Sequence, residues 1–478
     1  MYIDRKVSGQ ITVFLSLLLP VLLGMIGSFL EAARLRGTEA MLQMYTSSAL
    51  ESVFAGYSRE LMELYGLMFA IGSEEELNRK FLEYLDYERD PGKEFPAAGD
   101  SFFSVDIKKD DYLKELRMSE QGGTQLVDSA LAFLKYNNPG AFAVSLLEQL
   151  ETLGLGMDSA SEAEGWKKEF EGTDWSKTEE VETGYSNQEV QDSLLESGLG
   201  QLERFAGKGI WNLVKPDGAV LSGRNIPEDG LPSADYRTAL PEGAEGLDLL
   251  KNPVRTLLFD EYVLLRANCC TDQVQEDGLQ YEIEYILAGK KDEEENLYAI
   301  LNRIAGFRSG LNLMYLMQDE GKKAQAGGAA ALALGWTGNP ALISAAKYLI
   351  LAGWSYAEAL SDVHILLQGG RVPLLKSADT WNFALENLVS LGSEDLGEDK
   401  TLEGLKYQDY LRILLALADG QDKCYRMMDV IQLRMQQTDS TFRAADCTGA
   451  AGCTVRGTAG RRGQSEVTAE DYFSYARR

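Results

Sequence analysis

Residues 9–37, GQITVFLSLLLPVLLGMIGSFLEAARLRG, decide how the rest of the chain is read. From Ile11 to Leu30 there is no charge over 20 residues, and thirteen of these are Leu, Ile, Val or Phe. Wound as a helix, such a run spans about 30 Å, the thickness of a bilayer's hydrocarbon core. Each of its large apolar residues favours insertion by roughly 0.3–0.6 kcal/mol, which outweighs Thr12, Ser16, Ser28 and Pro20. A soluble core helix rarely stays uncharged on every face for that length. A cleavable secretory signal has an apolar region of about 7–15 residues followed by small residues at its cut site. This run is longer and leaves through LEAARLRG, so it is expected to remain as a transmembrane anchor, 11–30, behind a short cytoplasmic leader, 1–10. Arg5 and Lys6 before it are balanced by Arg34 and Arg36 after it, and the positive-inside count is tied. Long domains translocate largely regardless of charge; the expected orientation has the N-terminus inside and the bulk outside.

The remaining chain is globular in composition. Its 478 residues are 45% hydrophobic, enough for a core, and carry a net charge of −28. That charge repels phosphate backbones and anionic headgroups, which excludes nucleic acid as a partner and argues against a helix lying on a membrane surface. The five cysteines are too few for a disulfide scaffold. Cys447 and Cys453 flank CTGAAGC and either close a small disulfide, if the domain lies outside the cell, or are two inert thiols. Adjacent Cys269 and Cys270 read as small buried residues.

From Glu31 an apolar stripe falls on Met41, Tyr45, Ala49, Val53, Tyr57, Leu61, Leu64 and Met68, predicting an amphipathic stalk helix over 31–70 that packs on the chain's own globular part or on neighbouring subunits. A small α+β region follows over 71–150. It holds a strand at SFFSVDI (101–107) and helices over 125–150 interrupted at Asn138-Pro139-Gly140. The stretch 151–254 turns acidic and then proline-rich, with Pro216, Pro227, Pro232, Pro241 and Pro253 close together, and reads as a linker or insertion. Residues 255–440 predict a helix-rich domain. In it YEIEYIL (281–287) alternates like a strand, Asp292 and Glu295 form a capping box, and Asn339-Pro340 opens a helix that stops at Gly369-Gly370. Further helices are expected over 407–418 and 421–437. The uncharged run 324–346 is interrupted by Gly and Pro, and reads as two short helices meeting at a turn, in preference to a second span. Residues 441–478 form a Gly/Thr-rich tail. The fold class is mainly α with some β (α+β).

No catalytic, cofactor-binding or metal-ligating constellation emerges. The single histidine, His364, stands at helical spacing with Leu360 and Leu367 on a largely apolar face and reads as a packing residue. There is no phosphate-binding glycine loop, nucleophile elbow or EF-hand loop. VPLLKSADTW (372–381) reads as a surface recognition loop or, more simply, as a strand and turn. The expectation is a protein without catalysis or cofactor. The alternatives are a membrane-tethered envelope hydrolase using Asp/Glu, and a ligand-sensing ectodomain with a pocket near Trp354, Trp381 or Tyr410.

Gly9 and Gln10, followed by ITVFLSLLLPVLLGMIGSFLEAARL, resemble the N-terminal anchors of the tight-adherence (Tad) pilus proteins, especially the larger TadG-like group. That pattern has a basic leader, a Gly, a Val/Phe/Leu run, a Leu-Pro pair and an acidic residue at the far membrane edge, here Leu19, Pro20 and Glu31. The pseudopilins of that system carry a Glu five residues after the processing Gly; this chain has Phe14 there. The resemblance implies Gly9-Gln10 as a processing site, and the departure at Phe14 favours an uncleaved accessory component. EAARLRGTEAMLQMYTSSALESVFAGYSRELMELYGLMFA, YEIEYILAGKKDEEEN and VPLLKSADTW resemble an uncharacterised family of single-pass Gram-positive bacterial membrane proteins with a Tad-like start. That resemblance brings no activity. It implies a bacterial cell membrane location, with the lipid bilayer and other pilus or surface-apparatus subunits as partners, the latter through the 31–70 helix.

Overall fold

A computed structural model describes residues 7–89, 105–108, 113–137, 209–239 and 253–272 (apart from 217, 220 and 228), 278–389, 403–459 and 465–477. The fold is mainly α with some β. It divides into two compact units, the first made of Met1–Ala132 with Arg443–Arg478 and the second of Phe133–Phe442.

The first unit is organised by α1 (Val7–Phe54), 48 residues in one helix and about 72 Å long at ~1.5 Å per residue. Every side chain from Thr12 to Ala33 is exposed, Phe29 by 69%, so this half packs on nothing among the described residues. It belongs to the one helix among the described residues that is long and apolar enough to cross a membrane. Ser16 and Ser28 donate to the carbonyls of Val13 and Gly24 at 2.8 and 2.9 Å, so neither hydroxyl is unpaired in a hydrocarbon surround. At the edge of the apolar run Glu31 is held by Arg34, Nη2 to Oε1 at 2.6 Å.

Beyond Thr38 the same helix changes character. Thr38, Leu42, Thr46, Ala49, Leu50, Val53 and Phe54 are buried, and their spacing puts them on one face. They pack with Leu77, Phe81 and Leu85 of α3 (Glu74–Arg89) and with Val467, Ala469 and Phe473 of β5 (Ser465–Ser474). The Phe54 ring stacks on Phe473 at 4.7 Å. The predicted stalk therefore packs on the chain's own globular part, but it ends sixteen residues short of Ala70. Ser58 caps a separate α2 (Arg59–Tyr65), Gly66 at φ 70° closes it, and Tyr57 turns back to bridge Ala70. Tyr57, Leu64 and Met68 of the expected stripe are exposed. Apolar spacing continues through the break, while the cap and the glycine stop the backbone.

The sheet is built around the segment expected to be a tail. β4 (Cys447–Ala459) pairs antiparallel with β1 (Ala70–Ile71), β2 (Val105–Ile107), β3 (Leu113–Arg117) and β5. β5 runs along Ala450–Ala459, positions that β2 and β3 also use, so β5 must hold the opposite edge from both. β1 and β3 both meet Thr448, which puts β1 on the β5 side. A glycine- and alanine-rich strand suits this central place because its neighbours come close. A Cβ on Gly457 would lie 2.6 Å from Val105 Cγ2, and one on Gly449 would lie 2.8 Å from the Phe69 ring. α4 (Thr124–Asn137) adds buried Leu126, Val127 and Ala130. The strand expected at 101–107 is present as β2 from Val105; residues 101–104, and the helix expected over 138–150, lie outside the described residues.

The second unit contains α5 (Ile210–Val214), α6 (Pro232–Ala239), α7 (Pro253–Arg266), α8 (Glu282–Ala288), α9 (Glu293–Gln318), α10 (Glu320–Leu334), α11 (Pro340–Leu367), α12 (Tyr407–Leu417) and α13 (Gly420–Met435). Two of the clustered prolines open helices, α6 and α7, where a missing N–H costs nothing. The described part of the expected linker is integral to the unit. Ile210, Trp211, Leu213, Val214, Ile226 and Leu231 are buried, and Ile226 N donates to Lys291 O at 2.8 Å. Residues 151–208 and 240–252 of that linker lie outside the described residues. Asp292 caps α9 as expected, accepting from Glu294 N at 2.9 Å. Asn296, and not Glu295, ties the entry turn back, through Lys290 and the Asp292 carbonyl. Asn339 caps α11 at Ala341 N, 3.0 Å, and Gly369 at φ 83° follows its end. Residues 324–346 form the end of α10, a 3-10 turn at Gly335–Thr337, and the start of α11.

The strand expected at YEIEYIL is the helix α8. Alternation predicts a strand only when one face is wet, whereas here every residue from Glu282 to Leu287 is buried. Gly289 at φ 62° terminates the helix, and a Cβ there would meet the Arg426 guanidinium at 2.5 Å.

Candidate functional site

The strongest concentration of ionisable side chains lies inside the second unit. On α11, Glu358 and Asp362 are one turn apart, and both are fully buried. Arg308 of α9 donates Nε to Asp362 Oδ2 at 2.9 Å, Nη1 to the Leu374 carbonyl at 2.7 Å and Nη2 to Asn312 at 3.1 Å. Lys376 reaches in from the loop after α11. Its ammonium lies 2.6 Å from Glu358 Oε1, 2.6 Å from Asp362 Oδ1 and 2.9 Å from the Thr380 carbonyl. Glu358 also receives the backbone N–H groups of Asn382 and Phe383. Burial raises its carboxyl above the ordinary value, against the pull of Lys376. Two cations therefore meet two carboxylates in a closed, neutral network, the condition under which buried charge is tolerated. VPLLKSADTW is a loop with one isolated bridge, Val372 to Leu405; Leu375 and residues 377–379 are exposed, while Lys376 between them turns inward as the counter-ion of the helix core.

The aromatic residues beside it are equally occupied. Trp354 and Trp381 meet edge-on at 5.6 Å, and both indole N–H groups donate to the Phe383 carbonyl, at 2.9 and 2.8 Å. The Lys322 ammonium stands 4.7 Å from each indole ring. The Tyr410 hydroxyl donates to Val372 O at 3.3 Å.

A second set of acids sits on α8, held mainly by backbone N–H groups, with the charge of Arg434 near Glu282. Glu282 Oε2 accepts from Asn268 N at 2.8 Å, and Glu284 Oε1 accepts from Cys270 N at 3.0 Å and from the Tyr407 hydroxyl at 2.9 Å. Between them Cys269 N donates to Asp272 at 2.8 Å, so three successive N–H groups of one turn are held by three carboxylates. Glu284 Oε2 has no hydrogen-bond partner among the described residues. Desolvation pushes both glutamates up to about 7. Asp260 of α7, paired with Lys423 at 2.6 Å, is pushed up to about 6 by the same cause. The thiols of Cys269 and Cys424 are raised to about 12 by burial, which leaves them protonated and unreactive near neutrality.

His364 is buried. Its Nδ1 lies 2.9 Å from the Val214 carbonyl and its Nε2 lies 2.9 Å from Gln368 Nε2. These partners set the tautomer, with Nδ1–H donating and Nε2 accepting, and both ring nitrogens are engaged in packing as expected. Cys447 and Cys453 correct the disulfide reading. Both are free and buried, and both lie in β4, where six residues of strand separate them by about 20 Å; a bridge needs Cα atoms within about 7 Å. Gly9 and Gln10 lie in the first turn of α1, and Glu31 is the Arg34 partner at the far end of the apolar run. Among the described residues no group of three His, Cys, Asp or Glu side chains is placed to hold a metal ion. Sequence reasoning missed the Arg308–Asp362–Lys376–Glu358 network. Its only local signal is two acids spaced i, i+4 on an otherwise apolar helix.

Comparison with known proteins yields one match. The sequence model of a family described only as a family of unknown function (DUF5702) covers residues 188–459, more than half of the chain. No curated protein and no solved structure matches.

Proposed function

We propose, from the premise that the chain belongs to the DUF5702 family of unknown function, that it is a membrane-anchored, extracytoplasmic structural or assembly component of a Tad-like pilus or surface apparatus. One observation carries this reading: α1 is a single helix, bare over its first half and built into the core of an antiparallel sheet over its second. Glu31 and Arg34 pair across the turn that follows the apolar run, so the place where a secretory signal would be cut is helical and tied. That supports an anchor that stays. The bare half then lies in the bilayer, the N-terminus faces the cytoplasm, and the chain after Glu31 stands outside. The buried carboxylates and cations of the second unit hold one another or the backbone, which suits a scaffold.

Protease shaving of intact cells tests the topology, and electron microscopy of cells lacking the chain tests the role. The expected results are digestion of the region after Glu31 and loss or malformation of surface fibres. Protection of that region, or unchanged fibres, contradicts the proposal.

A further inference from the structure

Residues 321–357 have Lys322, Lys323 and Lys347 as their only charged side chains, in a chain whose net charge is −28. They form the hairpin of α10 and α11. Its two helices are closely packed through buried Ala326, Ala330 and Ala346, and its tip is the 3-10 turn at Gly335–Thr337. At this tip the usual arrangement of a water-facing turn is inverted. Leu332 is 89% exposed and Trp336 is 76% exposed, while the polar groups of the turn are paired within it. The indole N–H of Trp336 donates to Ala333 O at 3.1 Å, and the Thr337 hydroxyl donates to Leu334 O at 2.6 Å. Gly338 N donates to Gly335 O at 3.2 Å, and the Asn339 side chain takes Ala341 N.

A turn that satisfies its own backbone and presents Leu and Trp suits the boundary of a bilayer, where unpaired polar groups are costly and Trp is enriched. The acid surplus that holds the rest of the chain off anionic headgroups is absent between Gly321 and Ala357; there Lys322 faces the Trp354 and Trp381 rings and Lys323 pairs with Glu320 at 2.5 Å, which leaves Lys347 as the cation of the hairpin. We propose that Leu332 and Trp336 at the tip of the α10–α11 hairpin dock into the headgroup region of an anionic bilayer. This rests on the membrane-anchored reading of the chain, and it gives the second unit a lipid contact of its own.

The test uses the full chain reconstituted into vesicles of phosphatidylglycerol and phosphatidylcholine with brominated acyl chains. α1 contains no tryptophan, so flotation with the vesicles reports the anchor and quenching of tryptophan emission reports the tip. Bromolipid is expected to quench the wild-type chain, more strongly with phosphatidylglycerol than with phosphatidylcholine alone. The quenched component should disappear in Trp336→Phe and shrink in Leu332→Asp; both positions are exposed, so the fold tolerates the changes. A chain that floats while Trp336→Phe leaves lipid quenching unchanged overturns the tip proposal and spares the anchor. Shielding of Trp336 from acrylamide without lipid quenching overturns it in favour of a protein contact, such as a second copy. A chain that fails to float overturns both.

Discussion

In the first unit the core shared by α1, α3 and β5 is apolar, with Phe54, Phe81 and Phe473 set against the small residues of β4, and its buried carboxylate, Glu115 of β3, lies beside Arg117, whereas α8, α9 and α11 of the second unit carry Glu282, Glu284, Glu293, Glu358 and Asp362 inside. The contrast bears on how the chain's acidity is read. A net charge of −28 suggests acids confined to a solvated surface, yet several of them are structural parts of the second core. Where cations are near, as at Arg308 and Lys376, they neutralise the acids. On α8 the acids bind backbone N–H groups, and their raised pKa values show the cost.

The sharpest way to break this contrast is to remove one counter-ion. Lys376→Met leaves Glu358 and Asp362 one cation short, and a broken buried pair costs about 3–5 kcal/mol. Its denaturation midpoint should fall steeply, with the loss confined to the second unit in hydrogen exchange. Next is pH. Glu282 and Glu284 titrate at about 7 when folded against an ordinary value of 4.5. Between those values the folded chain binds protons that the unfolded chain releases. The stability that these two groups contribute is therefore fully present below pH 4.5 and is lost as pH rises to about 7. With ~1.4 kcal/mol for every pH unit between the folded and ordinary values, each glutamate contributes about 3 kcal/mol to that slope. Urea midpoints measured across this range should show it, and the Glu282→Gln, Glu284→Gln double variant should flatten it.

In the first unit the sensitive positions are steric. Gly457→Val places a side chain where a Cβ already lies 2.6 Å from Val105 and 3.0 Å from the Asp106 carbonyl. Overpacking of this kind costs about 1–3 kcal/mol, readable as a lower melting temperature of the first unit with the pH slope of the second unchanged. Smallest of all is Arg34→Ala. It removes a partly covered partner of the exposed Glu31 and should leave both unfolding transitions where they are.

The parts of the fold legible in the sequence have local causes. The uncharged run of α1, the Asp292 and Asn339 caps and the Gly369 stop each depend on residues within a few positions. The parts that were not legible have distant partners. β4 is central because residues 70–117 come back to it, and nothing within CTGAAGCTVRGTA itself distinguishes a crowded strand from a loose tail. α8 reads as a strand because the partners that bury its glutamates, Asn268, Cys270 and Tyr407, lie up to 123 positions away. The burial of Lys376 within VPLLKSADTW is hidden for the same reason, since its acids stand on the preceding helix.

The central claim, that the bare half of α1 stays in lipid while its other half is core, is tested most directly by alkaline carbonate extraction of membranes carrying the full-length chain. The wild type should remain in the pellet at full length. Leu22→Arg, which sets a charge near the middle of the span at a cost of about 3 kcal/mol, should be partly released with the unfolding of both units unchanged. A wild-type chain found in the supernatant, or a pelleted chain lacking its apolar run, would contradict the account.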